Sequence, residues 1–164
     1  MTLSQSALDG TMRDGRHVMT VRVYYEDTDF SGIVYHANYL RFMERGRTNH
    51  LRLLGAEHRA LLEEAELETP GFAFVVRSMR IEFLKPARMD DLLEIATTPV
   101  EVKGASITLR QEIRRAHEML VEATVRVACV AAGRARPIPR ALRLAMLTDQ
   151  ELAASSSAGR QDET

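Results

Sequence analysis

Between Val21 and Leu54 the chain passes without a break from an alternating strand to a polar turn and then to a long helix (VRVYYEDTDFSGIVYHANYLRFMERGRTNHLRLL). The helical part most constrains the fold. Tyr39, Leu40, Phe42, Met43, Gly46, His50, Leu51 and Leu54 form a broad apolar stripe. Such a stripe has to be buried against other elements. Arg41, Glu44, Arg45, Arg47 and Arg52 fall toward water or the rim. Asn38 suits an N-cap, so the spacing predicts a helix over 39–54, about 24 Å long at 1.5 Å per residue, with Gly55 just past its end. Gly46 lies inside the stripe, where a missing side chain lets the helix sit close on a sheet.

The rest of the chain supplies that sheet. Residues 17–26 alternate, with Met19, Val21 and Val23 on one side. Strands are predicted over 72–84, 92–102, 106–115 and 118–131, joined by a proline-broken turn (Lys85–Asp91) and a Lys103-Gly104 connection. In the first of these, Ala73, Val75, Met79, Ile81 and Phe83 share a face by strict alternation. Residues 56–68 read as a short surface helix and 140–147 as a last one. Short connections favour antiparallel neighbours, so the pattern predicts an α+β fold in which a curled antiparallel sheet surrounds one long helix. A flexible arm is expected over 1–16, one domain over 17–147 and a disordered tail over 148–164.

Composition bounds the function. The 164 residues carry a net charge of −1, which gives no global attraction to nucleic acid. The longest apolar runs are too short for a membrane span. The N-terminus has no signal-like apolar core. The single cysteine, Cys129, lies in an apolar run and can form no intramolecular disulfide, so a reducing cytoplasm is the expected setting. The five histidines (17, 36, 50, 58, 117) show no paired ligand spacing, so no metal or cofactor is expected.

The turn carries the chemistry. Glu26, Asp27 and Asp29 precede Gly32, Tyr35, His36 and Asn38. A helix start offers free N–H groups and partial positive charge, which polarise a carbonyl oxygen. A nearby carboxylate can attack that carbonyl or activate water. From these residues alone, an ordinary turn aspartate is the competing reading for Asp29. Glu26 and Asp27 read as turn and strand-end groups. The His36 imidazole either lines the site or leaves the work to its backbone. Phe30, Tyr39, Phe42 and Met43 either line a pocket or fill the core.

The run YYEDTDFSGIVYHANYLRFMERGRT resembles the signature of the 4-hydroxybenzoyl-CoA thioesterase family, and within it the YbgC-type acyl-CoA thioesterases encoded near Tol-Pal envelope genes. The similarity continues more loosely through FVVRSMRIEFLKPARMDDLLEI. Gly46 departs from the alanine usual in that segment. The resemblance implies a hotdog fold, a five-stranded antiparallel sheet wrapped around one long helix, assembled as a homodimer or homotetramer. It implies hydrolysis of acyl-CoA to free acid and coenzyme A. Asp29 would be the nucleophile or general base and the His36 amide the oxyanion donor, with Gly32 and Tyr35 lining the substrate. Lys103, Arg134 and Arg136 match loosely the basic positions that hold coenzyme A phosphates. Acyl carrier protein is a further candidate partner. A hotdog hydratase, and a non-catalytic acyl-CoA or acyl-carrier-protein binding protein or adaptor, are the alternatives. The acyl chain is left open.

Overall fold

The structure, a computed structural model, describes residues 8–57 and 59–160. Its elements are β1 (Thr11–Arg13), β2 (Arg16–Arg22), a 3-10 turn (Tyr25–Asp27), α1 (His36–Glu57), α2 (Arg59–Glu68), β3 (Ala73–Phe83), β4 (Leu92–Val102), β5 (Ser106–Arg115), β6 (Glu118–Ala131), β7 (Arg134–Ala135) and α3 (Arg140–Ala158). All strand pairings are antiparallel, in the order β1-β2-β4-β5-β6-β3, with short β7 also on β6. The five long strands are those expected. Among the described residues two short strands, β1 and β7, join these five in a seven-stranded sheet.

The sheet curls over α1. Tyr39, Phe42, Met43 and Leu54 join Met19, Val21, Leu93, Ile95, Ile113 and Val125 in one buried cluster. A Cβ on Gly46 would lie 3.0 Å from Thr97 Oγ1 and 3.1 Å from Ile95 Cγ2, so the missing side chain sets the helix's close approach to β4. Beside it the fully buried Gln111 amide donates to Met43 O and to Thr97 Oγ1, both at 2.9 Å. Its oxygen accepts from Arg47 Nη1 at 2.9 Å. Arg47 is therefore half-buried and structural, not a rim charge. Glu44 accepts from Thr48 Oγ1 at 2.6 Å.

Four expectations are corrected. Strand β3 does not alternate throughout: the pairing skips from Val76↔Val127 to Ser78↔Arg126, so Arg77 is a bulge. Phe74 and Val76 pair with core-facing Cys129 and Val127, so they share the inner face with Met79, Ile81 and Phe83, while Ala73 and Val75 turn outward. The segment 8–16 is pinned rather than loose: β1 pairs with β2, and Asn49 Nδ2 and His17 Nε2 reach Leu8 O (3.2 Å) and Asp9 O (2.7 Å). The last helix runs to Ala158, well past 147: Leu142 and Met146 anchor its expected part in the core, and beyond that part Gln150 Nε2 donates to Val100 O at 3.0 Å. His50 Nε2 also meets Asp149 Oδ2 at 3.3 Å. Residues 1–7 and 161–164, the remaining parts of the expected arm and tail, lie outside the described residues, as does His58. Helix α1 begins at His36, not at Tyr39, and continues through Gly55 to Glu57.

Candidate active site

The segment between β2 and α1 folds back on itself as a tight hairpin. Asp29 N donates to Ile33 O (2.9 Å), Gly32 N to Asp29 O (3.0 Å) and Tyr35 N to Asp27 O (2.9 Å), with a bridge between Thr28 and Val34. Gly32 takes φ +78°, the left-handed value that this reversal needs and that glycine adopts freely. Asn38 is not the helix cap. Its Nδ2 turns back to Asp27 O at 2.8 Å, while its N–H bonds Tyr35 O at 2.8 Å and makes Tyr35 the capping residue. Asp27 Oδ2 accepts from Tyr24 N at 2.8 Å, a turn role, as its sequence context suggested.

The β3–β4 loop holds this hairpin from the other side. Val34 N donates to Ala87 O (2.9 Å) and Ile33 bridges Arg88. The buried Tyr39 hydroxyl accepts from Ala87 N at 2.9 Å. Asp91, in turn, accepts from Arg115 Nη1 at 2.7 Å and from Arg88 N at 2.8 Å. Replacing Tyr39 by Phe strands the buried Ala87 N–H. That is expected to cost about 1–3 kcal/mol, read as a lower urea-unfolding midpoint.

Asp29 sits at the hairpin tip, fully open to solvent. Its Oδ1 accepts both the N–H of Ser31, at 2.8 Å, and the Ser31 hydroxyl. These two bonds, the hydroxyl's first, hold its carboxyl below the usual aspartate range, and nearby His36 pushes in the same direction. His36 opens α1, where the first amides have no acceptor one turn back within the helix, although that of Asn38 is taken by Tyr35 O. Its ring lies 4.6 Å from that of Tyr35 and 6.0 Å, edge-on, from that of Phe83. An open groove of about 260 Å³ runs past His36, Tyr39, Phe83 and Pro86. Such a site presents a charged oxygen, a polarising helix tip and an apolar wall.

Of the residues singled out from sequence, Asp29, Gly32, Tyr35 and His36 therefore come together. Of the ambiguous aromatics, Tyr39 lines the groove, Phe42 and Met43 are core, and Phe30 is fully exposed. Lys103, Arg134 and Arg136 do not join Asp29 within one chain. They gather around the β4–β5 hairpin, where Ile138 N bonds Gly104 O (2.8 Å) and Arg136 N bonds Cys129 O (3.0 Å). That is the far end of β4 from Asp91, about 33 Å away at 3.3 Å per residue. Sequence reasoning missed Ser31, although a serine two places after an aspartate is a familiar turn-forming signal. It also missed the supporting role of Ala87, whose backbone gives no sequence signal.

An antiparallel sheet curled on a long helix, entered through a tight hairpin that carries an exposed carboxylate, marks the class of hotdog thioesterases. The family model of the thioesterase superfamily matches residues 31–122. The acyl-CoA thioesterase YbgC of Haemophilus influenzae is 48% identical over 127 residues, 77% of this chain and 90% of that protein. The acyl-CoA thioester hydrolase YbgC of Escherichia coli is 48% identical over 111 residues, 67% of this chain and 78% of that protein. The crystal structure of a probable thioesterase from Bartonella henselae superposes with a TM-score of 0.64 at 41% identity, covering 76% of this chain and 98% of that one. The chain belongs to the thioesterase superfamily.

Proposed function

We propose that this enzyme hydrolyses acyl-CoA thioesters to the free acid and coenzyme A, with Asp29 as the reacting carboxylate and the α1 N-terminus at His36 as the oxyanion hole. The observation that carries the reading is the exposed Asp29 carboxylate, held by one oxygen in a hairpin that ends at the helix start. In the nucleophilic route the free carboxylate oxygen bonds to the thioester carbon, the C–S bond breaks and thiolate leaves. Water then splits the resulting anhydride and restores the carboxylate. In the general-base route the carboxylate takes a proton from water as that water attacks. Both routes place the tetrahedral oxyanion at the first-turn amides, where donors aimed at developing charge lower the barrier most. His36, Gly32, Tyr35 and the groove wall would flank the acyl-pantetheine arm.

The basic residues fit this reading if two copies share the site. Strand β3 pairs only with β6 among the described strands, and its Val75, Val76 and Phe83 are exposed. Such an edge invites pairing with a second chain. The Phe83 end of β3 lies by His36, and the Ala73 end lies by the basic loop, through Val130 and Ala135. A two-fold axis across β3 would set the partner's Lys103, Arg134 and Arg136 beside Asp29, ready to take coenzyme A phosphates. Further pairing of dimers into a tetramer is compatible with the same protomer. Reversing Lys103 and Arg136 to Glu is expected to raise KM several-fold for acyl-CoA and far less for the matching acyl-pantetheine. Equal effects on both substrates would remove these residues from the phosphate role.

The test is thiol release from a panel of acyl-CoAs of graded chain length, run beside enoyl-CoA hydration and equilibrium binding. Free thiol from any member supports hydrolysis, and the ranking names the acyl chain. Binding without release points to a non-catalytic acyl-CoA or acyl-carrier-protein binding role, and enoyl hydration to the hydratase reading.

A further inference from the structure

We infer that Ser31 is the positioning residue of Asp29: its hydroxyl and amide together clamp Oδ1 and leave Oδ2 as the oxygen that does the chemistry. This rests on the assignment of Asp29 as the reacting group. An exposed aspartate at a loop tip would otherwise turn freely about both side-chain torsions. Ser31 N–H reaches Oδ1 at 2.8 Å, and the Ser31 hydroxyl bonds the same atom. Among the described residues no donor reaches Oδ2. Any residue but proline supplies the amide at position 31, whereas the second donor comes from the serine hydroxyl and is lost with an apolar side chain. Ser31 is itself exposed, and its hydroxyl bonds nothing else among the described residues, so no packing role explains it. Gly32 beside it, at φ +78°, provides the reversal over which the two side chains meet.

The clamp serves either chemical route. If Asp29 attacks, the new bond forms from Oδ2, the thiolate departs, and Oδ1 becomes the anhydride carbonyl oxygen while keeping both donors. Water then attacks the anhydride, the acid leaves and the carboxylate returns to the same clamp. If Asp29 is the base, the proton from water arrives on Oδ2 and Oδ1 again keeps both donors. In each case the reacting oxygen starts each turnover in the same place, so reorientation is not part of the barrier.

A plain turn-stabilising role predicts something different from a positioning role, and the pH profile separates them. Ser31→Ala keeps the amide bond and loses the hydroxyl, the stronger of the two influences that hold the Asp29 carboxyl low. The expected result is a fall of about tenfold in kcat with KM largely unchanged, the size of losing one hydrogen bond to a charged group. The acid limb of kcat/KM also moves to higher pH. Ser31→Thr, which keeps the hydroxyl, is expected to restore both. In an Asp29→Asn background, Ser31→Ala is expected to add nothing. Wild-type kcat with an unmoved acid limb in Ser31→Ala overturns the inference, as does a lowered unfolding midpoint with no change in the limb. If Asp29→Asn is inactive while Ser31→Ala is silent, the positioning role alone falls. If Asp29→Asn is active, the reading beneath it falls as well.

Discussion

Asp29→Asn is expected to lower kcat for acyl-CoA hydrolysis by about 10³-fold or more, within the range that a positioned acid–base or nucleophilic group contributes. The substitution removes the charge and keeps the shape. The new amide oxygen can still accept both Ser31 donors, so the hairpin that carries it has no reason to open. The side chain is fully exposed, so no core contact is lost. The thermal midpoint and the affinity for an unreactive acyl-CoA analogue should therefore stay near wild type while thiol release collapses. Near-normal turnover in this variant would remove Asp29 from the reaction, and the α1 N-terminus would be left with no carboxylate partner in the proposed scheme.

Gly46→Leu is expected to destabilise the fold by about 3 kcal/mol or more, beyond the usual cost of overpacking. Even a bare Cβ there presses on Thr97, Ile95 and Gln111, the last at 3.3 Å, and all three are fully buried. The longer side chain can be seated only by displacing the Gln111 amide. That breaks its bonds to Met43 O and Thr97 Oγ1 in a place water does not reach. Against a typical stability of roughly 5–15 kcal/mol, such a loss is plain in a urea titration. Gly46→Ala should stay within about 1 kcal/mol of wild type, because slight crowding is offset by the helix-propensity gain of replacing glycine. An unchanged midpoint in Gly46→Leu would mean that α1 does not ride against β4 as described.

Much of this was legible from the residues. The helix stripe, the four late strands and the inward-facing row Val121, Ala123, Val125, Val127 and Cys129 follow from side-chain periodicity, and the structure buries that row as expected. Asp29 and His36 were singled out through a dense local signature, and hairpin formation through Gly32 is local chemistry. What escaped was set by partners distant in sequence. Nothing near Arg77 announces a bulge, because the skipped position answers to the pairing with β6. The part of α3 beyond 147 is held by the contacts of Asp149 with His50 and of Gln150 with Val100, neither of which shows in the Ser/Ala-rich composition of that stretch. The true helix cap escaped because Asn38, the better capping residue by type, is drawn back to Asp27 O.

The skipped residue in β3 sets which change of length this protein can absorb. Phe74 and Val76 face inward with Met79 because Arg77 is left out of the pairing between them. Losing that single codon would leave Val76 opposite Val127 and Ser78 opposite Arg126 in an unbroken ladder, with the same side chains turned to the helix. Lineages of this sequence can therefore shed this one residue without turning the strand over.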